Sequence, residues 1–163
     1  MTESLDITTV APGTWIDALA WNELLADPQP EIPLCWYTSI NGDASEWEDL
    51  QGIGHLVELI EGLPGVGDFM VVQDDDPETR YVQTMRLENG HYTVEIAMLL
   101  ANGALNLRVG RGVAAGSEPN GPELGATELQ RLSMAETIEV MTCWAAGTGL
   151  PAGYAGAIYA YMH

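Results

Sequence analysis

The side chains able to do chemistry are few and scattered. Histidine occurs at His55, His91 and His163. His55 and Glu58 are three apart in a helix-patterned segment, so they share a face and could form half of a metal site. No second half follows at a compatible spacing, and Glu48, Gln51, His55 and Glu58 read as the solvent face of that helix. His91 directly follows Asn89-Gly90 and reads as a turn-flanking side chain. Cys35 and Cys143 belong to no C-x-x-C or Cys/His spacing and read as buried free thiols. The run Asp74-Asp75-Asp76 with Glu78 lacks the alternating ligands, central glycine and terminal Glu of a calcium loop. It reads as a turn between strands or an acidic contact loop. The glycine-rich stretch Gly147 to Gly153 follows a helix and has no Lys, whereas a phosphate cradle follows a strand and opens a helix. No nucleophile-elbow or zinc-protease pattern occurs. These absences point to a chain without catalytic activity, cofactor or metal.

Charge is the unusual quantity. The 163 residues carry 24 Asp and Glu against five Arg and no Lys, a formal net charge of -19. Residues 1–79 hold seventeen acids and no Arg or Lys, and residues 80–163 hold seven acids and all five Arg. Such a field repels nucleic acid and anionic membrane and speeds encounter with basic surfaces. Solubility or adaptation of the host proteome is the alternative reason for it. Five tryptophans, Trp15, Trp21, Trp36, Trp47 and Trp144, offer stacking surfaces, but stacking on nucleic acid needs basic residues beside it. Trp47 reads as core, as do Trp21 and Trp36, which flank the proline-rich segment at 27–33. Acids at Glu3 and Asp6, where an export signal carries bases, and the lack of a spanning apolar run lead to the expectation of a cytoplasmic protein.

The elements that must position these residues are legible as a pattern. A chain of this length and 47% hydrophobic content has the size and apolar content of one domain with a real core. Three segments open with a Ser or Thr followed three residues later by an acid, the spacing of a capping box: Thr14/Asp17, Ser45/Glu48 and Ser133/Glu136. They predict helices over Trp15 to about Ala26, from Ser45 to Glu61 with Gly62 as a left-handed cap, and over Met134 to Ala146 closed by Gly147. The expected core stripes are Trp47, Leu50, Ile53, Val57 and Ile60 on the second helix, and Met134, Ile138, Met141 and Ala145 on the third. Asn89-Gly90 and Asn102-Gly103, each flanked by alternating segments, predict tight two-residue turns and a three-stranded meander. That register sets Leu87 opposite Tyr92 and Leu100 opposite Leu105. It puts Gln83, Met85 and Leu87 on the apolar side, with Arg86, Glu95 and Arg108 as a charge ladder on the other. Phe69 to Gln73, Leu34 to Thr38 and Tyr154 to Tyr161 read as further strands. The expected fold is α+β: an antiparallel meander sheet packed against about three amphipathic helices in a single domain, residues 1–163.

The succession Arg80-Tyr81-Val82-Gln83, Tyr92-Thr93-Val94-Glu95 and Leu132-Ser133-Met134, followed by a helix ending Cys143-Trp144-Ala145-Ala146-Gly147-Thr148-Gly149-Leu150-Pro151 and a last strand, resembles the actinobacterial immunity proteins encoded beside polymorphic toxins. The likeness spans about residues 69–161. It implies stoichiometric inhibition of a toxin, with no catalytic residues to carry over. Together with the acid-only first half, it leads to the expectation of a non-catalytic binder that occludes the basic active-site cleft of a toxin domain. Its contact face would be built from Glu48, His55, Glu58, Asp74, Asp75, Asp76 and Glu78. The alternatives are an acidic mimic of nucleic acid that blocks a DNA- or RNA-binding protein, and a small-molecule-binding module.

Overall fold

Antiparallel pairing organises the chain. The computed structural model describes residues 13–24, 33–74, 79–100, 103–112 and 128–162. In chain order these form β1 (Thr14–Asp17), α1 (Ala18–Leu24), β2 (Leu34–Ile40), β3 (Asp43–Ala44), β4 (Glu48–Asp49), α2 (Ile53–Glu61), β5 (Phe69–Asp74), β6 (Arg80–Arg86), β7 (His91–Leu100), β8 (Gly103–Arg111), β9 (Leu132–Ser133), α3 (Met134–Ala145) and β10 (Tyr154–Met162). All strands join one ten-stranded antiparallel sheet of order β1-β10-β8-β7-β6-β5-β2-β3, with β4 added to β2 and β9 to β7. The fold is α+β and mostly sheet. One sheet face, carrying Val72, Val82, Val94, Ile96, Leu107 and Ile158, packs with Leu56, Ile60, Val140, Met141, Trp21 and Trp144 of the three helices into one core.

The meander is present, but both registers differ from the expected ones. Asn89-Gly90 sits within a three-residue loop, Glu88–Gly90, in which Asn89 (φ 59°) and Gly90 (φ 72°) are both left-handed and the Leu87 N–H donates to the His91 carbonyl at 2.7 Å. Arg86 therefore faces Tyr92, and Thr84 faces Val94. One extra loop residue turns β6 over, because side chains alternate with period two. Arg80, Val82, Thr84 and Arg86 lie under the helices, and Tyr81, Gln83 and Met85 lie on the opposite face. At the second turn β7 and β8 close at Leu100 and Gly103, so Met98 faces Leu105. That slip is two residues and preserves every face. The charge ladder shrinks to its β7–β8 pair, Arg108 Nε to Glu95 at 3.4 Å. Arg86 instead donates to the Leu63 carbonyl at 2.5 Å on the helix side.

Two of the three helix starts also move. Trp15 and Ile16 pair with Ala157 and Gly156 of β10, so the first helix begins at Ala18, and Asp17 caps it by accepting the Ala20 N–H at 2.8 Å. The expected end of that helix and most of the proline-rich segment lie outside the described residues. In the second case the Ser45 hydroxyl accepts the Thr38 N–H at 2.9 Å, Glu48 pairs with Trp36, and the helix waits until Ile53. Ladder bonds to β2 outcompete the local capping signal. Trp47 (47% exposed) and Ile53 (44%) are thus outside the core, whereas Ile60 is buried as expected, Leu50 packs against the core, and Leu56 and Leu63 join it. Gly62 is right-handed rather than left-handed.

The third helix starts as its sequence says: Ser133 accepts from the Glu136 N–H at 3.1 Å and Glu136 accepts from the Ser133 N–H at 2.8 Å. Its deepest face is Thr137, Val140, Met141 and Trp144, with Met134, Ile138 and Ala145 only partly buried beside it. Gly147 (φ 78°) closes it, with Thr148 N–H to the Cys143 carbonyl and Gly147 N–H to the Trp144 carbonyl, the paired bonds of a Schellman end.

Ser133→Ala removes one side of the capping box and should cost about 1 kcal/mol, read as a lower urea midpoint at unchanged m-value. Tyr154 is buried at the start of β10, and burial first, then its hydrogen bond to Glu139, push its phenol above the ordinary value. A raised native pKa means stability is intact below the unfolded value of about 10 and is lost as pH rises past it. Wild type should therefore lose more stability than Tyr154→Phe between about pH 9 and 11, measured by denaturant titration at each pH.

Candidate functional site

Asn41 (φ 52°) and Gly42 (φ 80°) form the two-residue loop that turns β2 into β3, with Ile40 facing Asp43. Both central residues are left-handed, the type I′ requirement that Asn-Gly meets at low steric cost. This third Asn-Gly pair was the missed signal for the edge of the sheet. Beyond it the chain stays on the rim: every residue from Asn41 to Asp49 is exposed. Four of them are acids, Asp43, Glu46, Glu48 and Asp49, and in their midst stands Trp47.

Trp47 is held rather than free. Its ring meets Tyr37 edge-on at 4.6 Å between centroids, and Tyr37 in turn meets Phe69 at 6.1 Å. β4 binds back onto β2 through Cys35 and Trp36, and the Leu50 N–H donates to the Leu34 carbonyl at 2.9 Å. Trp36, Trp47, Glu48, Asp49, Gln51 and His55 line an open cleft between this edge and the start of α2. His55 is fixed there, accepting the Gln51 N–H on Nδ1 at 2.9 Å, with its ring edge-on to Trp36 at 5.6 Å. The buried Trp36 indole N–H has no partner among the described residues. The cleft offers carboxylates and an aromatic face, and among the described residues no nucleophile stands with a base beside it. Among the described residues no three His, Cys, Asp or Glu side chains converge as a metal site.

The structure thus brings together part of the expected contact face. Glu48 and His55 line one cleft, and Glu58 lies exposed one turn beyond His55 on α2. Glu48 reaches the cleft from a strand and not from a helix. Asp74 does not belong to any surface: it is 1% exposed and accepts the Thr79 N–H at 2.8 Å and the Arg80 N–H at 2.9 Å on Oδ1, and the Thr79 hydroxyl on Oδ2. It ties β5 to β6. Asp75, Asp76 and Glu78 lie outside the described residues. Asp68 is a second inward acid, taking the Asn41 N–H at 3.0 Å and the Gly65 N–H at 2.9 Å. Sequence reasoning missed Asp43, Glu46 and Asp49 as rim residues because the false helix start at Ser45 placed Trp47 in the core.

No protein-family model, no curated protein and no solved structure matches this chain.

The two kinds of acid should separate on substitution. Asp74→Ala leaves two amides and a hydroxyl without their acceptor and should cost about 3 kcal/mol, whereas Glu48→Gln on the exposed edge should stay within about 0.5 kcal/mol. Urea unfolding of both variants checks this; equal midpoints would show that Asp74 is not a structural acid.

Proposed function

We propose that the chain is a non-catalytic acidic binding protein, an immunity-type inhibitor that captures a basic toxin domain and covers its active-site cleft. The observation that carries this reading is a half-exposed, braced Trp47 among Asp43, Glu46, Glu48 and Asp49 on a sheet edge. An Arg or Lys of the partner would lie over the Trp47 ring, an attraction worth about 0.5–2 kcal/mol, while Glu48 and Asp49 take its N–H groups. The surrounding carboxylates and the net charge of -19 set the rate of capture, and the desolvated aromatic sets its duration. The cluster of carboxylates, an aromatic face and a tied-down histidine suits recognition better than turnover. Tight blockade of a toxin needs no chemistry in the inhibitor.

The reading predicts that the neighbouring gene encodes a protein ending in a toxin domain, and that co-expression of this chain restores growth to a host making that domain. Trp47→Ala should raise the dissociation rate by about 30-fold, equivalent to about 2 kcal/mol. The combined variant Glu46→Gln, Glu48→Gln, Asp49→Asn should instead slow association and flatten its salt dependence. Growth arrest that persists with the chain expressed and folded, or identical binding kinetics in both variants, would sink the proposal.

A further inference from the structure

A second concavity, sharing no residue with the Trp36/Trp47 cleft, lies on the helix side of the sheet. It has a volume of about 240 Å³ and is walled by Trp21 and Leu24 of α1, Ile96 and Met98 of β7, Trp144 of α3, and Leu150. For comparison, a cavity of roughly 150 Å³ lined by apolar side chains accepts benzene. The walls are mostly apolar, and among the described residues the one charged side chain lining them is Arg80.

Arg80 is 7% exposed and incompletely satisfied. Nη1 donates to the Trp144 carbonyl at 3.1 Å, and the guanidinium lies over the Trp144 ring, 4.7 Å from its centroid. Nε has no hydrogen-bond partner among the described residues. Among the described residues no carboxylate is within ion-pair distance of it. Asp74 is the nearby opposite charge, yet its oxygens are engaged by Thr79 and by the Arg80 backbone. Burial pulls the guanidinium below its ordinary value, and Asp74 pulls the other way. A buried donor left unpaired is costly, and a carboxylate is the acceptor that best satisfies a guanidinium.

The rim is built to hold its shape. Asn22 receives the Leu150 N–H on Oδ1 at 2.9 Å and returns its Nδ2 to the Leu150 carbonyl at 3.0 Å, clamping the α3–β10 connection to α1. Gly149 (φ 81°) makes that approach possible, since a Cβ there would come within 2.4 Å of Asn22 Oδ1. A preformed apolar cavity with one convergent polar anchor is the usual form of a small-molecule site.

We infer that this cavity binds a small monocarboxylic acid with a single apolar ring or branched chain, its body between Trp21 and Trp144 and its carboxylate on the Arg80 guanidinium. The site is independent of the acidic edge and of any partner captured there. The test titrates phenylacetate, indole-3-acetate and benzoate, with the matching primary amides, into the full chain. The readouts are tryptophan fluorescence and amide chemical shifts at Leu24 and Gly149. At least one acid should bind saturably with Kd below about 1 mM and at least about 10-fold more tightly than its amide. Arg80→Gln should erase that preference. Should that variant not fold, Leu100→Trp, which fills the cavity from the end of β7, should abolish binding in a folded protein. Failure of every acid to saturate by about 10 mM, equal affinity for acid and amide, or unchanged binding by Leu100→Trp would overturn the inference.

Discussion

The Leu87 N–H to His91 carbonyl bond closes a three-residue loop and decides which side of β6 faces the helices. With it, Arg80, Val82, Thr84 and Arg86 turn inward. Val82 and Thr84 fill the core, both fully buried, with the Thr84 hydroxyl satisfied by the Thr93 carbonyl at 2.9 Å. Arg86 reaches the Leu63 carbonyl and so ties the turn after α2 to the sheet. Arg80 arrives beneath the last turn of α3, where carbonyls are in excess and the helix dipole favours a cation. A two-residue turn at the same site would bring Tyr81, Gln83 and Met85 inward and leave both arginines on the far face.

Two groups of acids among the described residues do opposite work. Asp17, Asp68 and Asp74 hold the backbone, accepting N–H groups where a helix begins or strands are joined. Asp43, Glu46, Glu48 and Asp49 are exposed along β3, β4 and the link between them. Charged residues on short edge strands block sheet-to-sheet pairing. The same row, with a tryptophan in it, is a surface that a basic protein can use. Protection of the edge and recognition are therefore compatible demands on these residues.

Trp144 links the core to the cavity. Its carbonyl takes both the Gly147 N–H of the helix end and an Arg80 N–H, and its ring carries the Arg80 charge. The turn that follows is held by Asn22 from the other end of the chain, so the cavity wall is assembled from segments 128 residues apart. No local pattern could announce it.

Where one signal met no competitor, the sequence determined the result. Ser133 and Glu136 form their capping box, Gly147 ends its helix, Phe69–Asp74 and Tyr154–Met162 are strands, and the α+β class follows from alternation and helical period. These depend on neighbours within a few residues. Tertiary structure decided wherever a local preference had to compete with pairing to a distant strand. Trp15 and Ile16 went to β10 and Ser45 and Glu48 to β2, because a ladder satisfies backbone groups that a frayed helix start leaves open. It also decided loop length at Asn89-Gly90, where the same dipeptide suits two- and three-residue turns. The exposure of Trp47, the burial of Asp74 and the placement of Arg80 under Trp144 follow from those choices. An acid in a sequence is only a charge, and its partners across the sheet make it a structural acceptor or a surface.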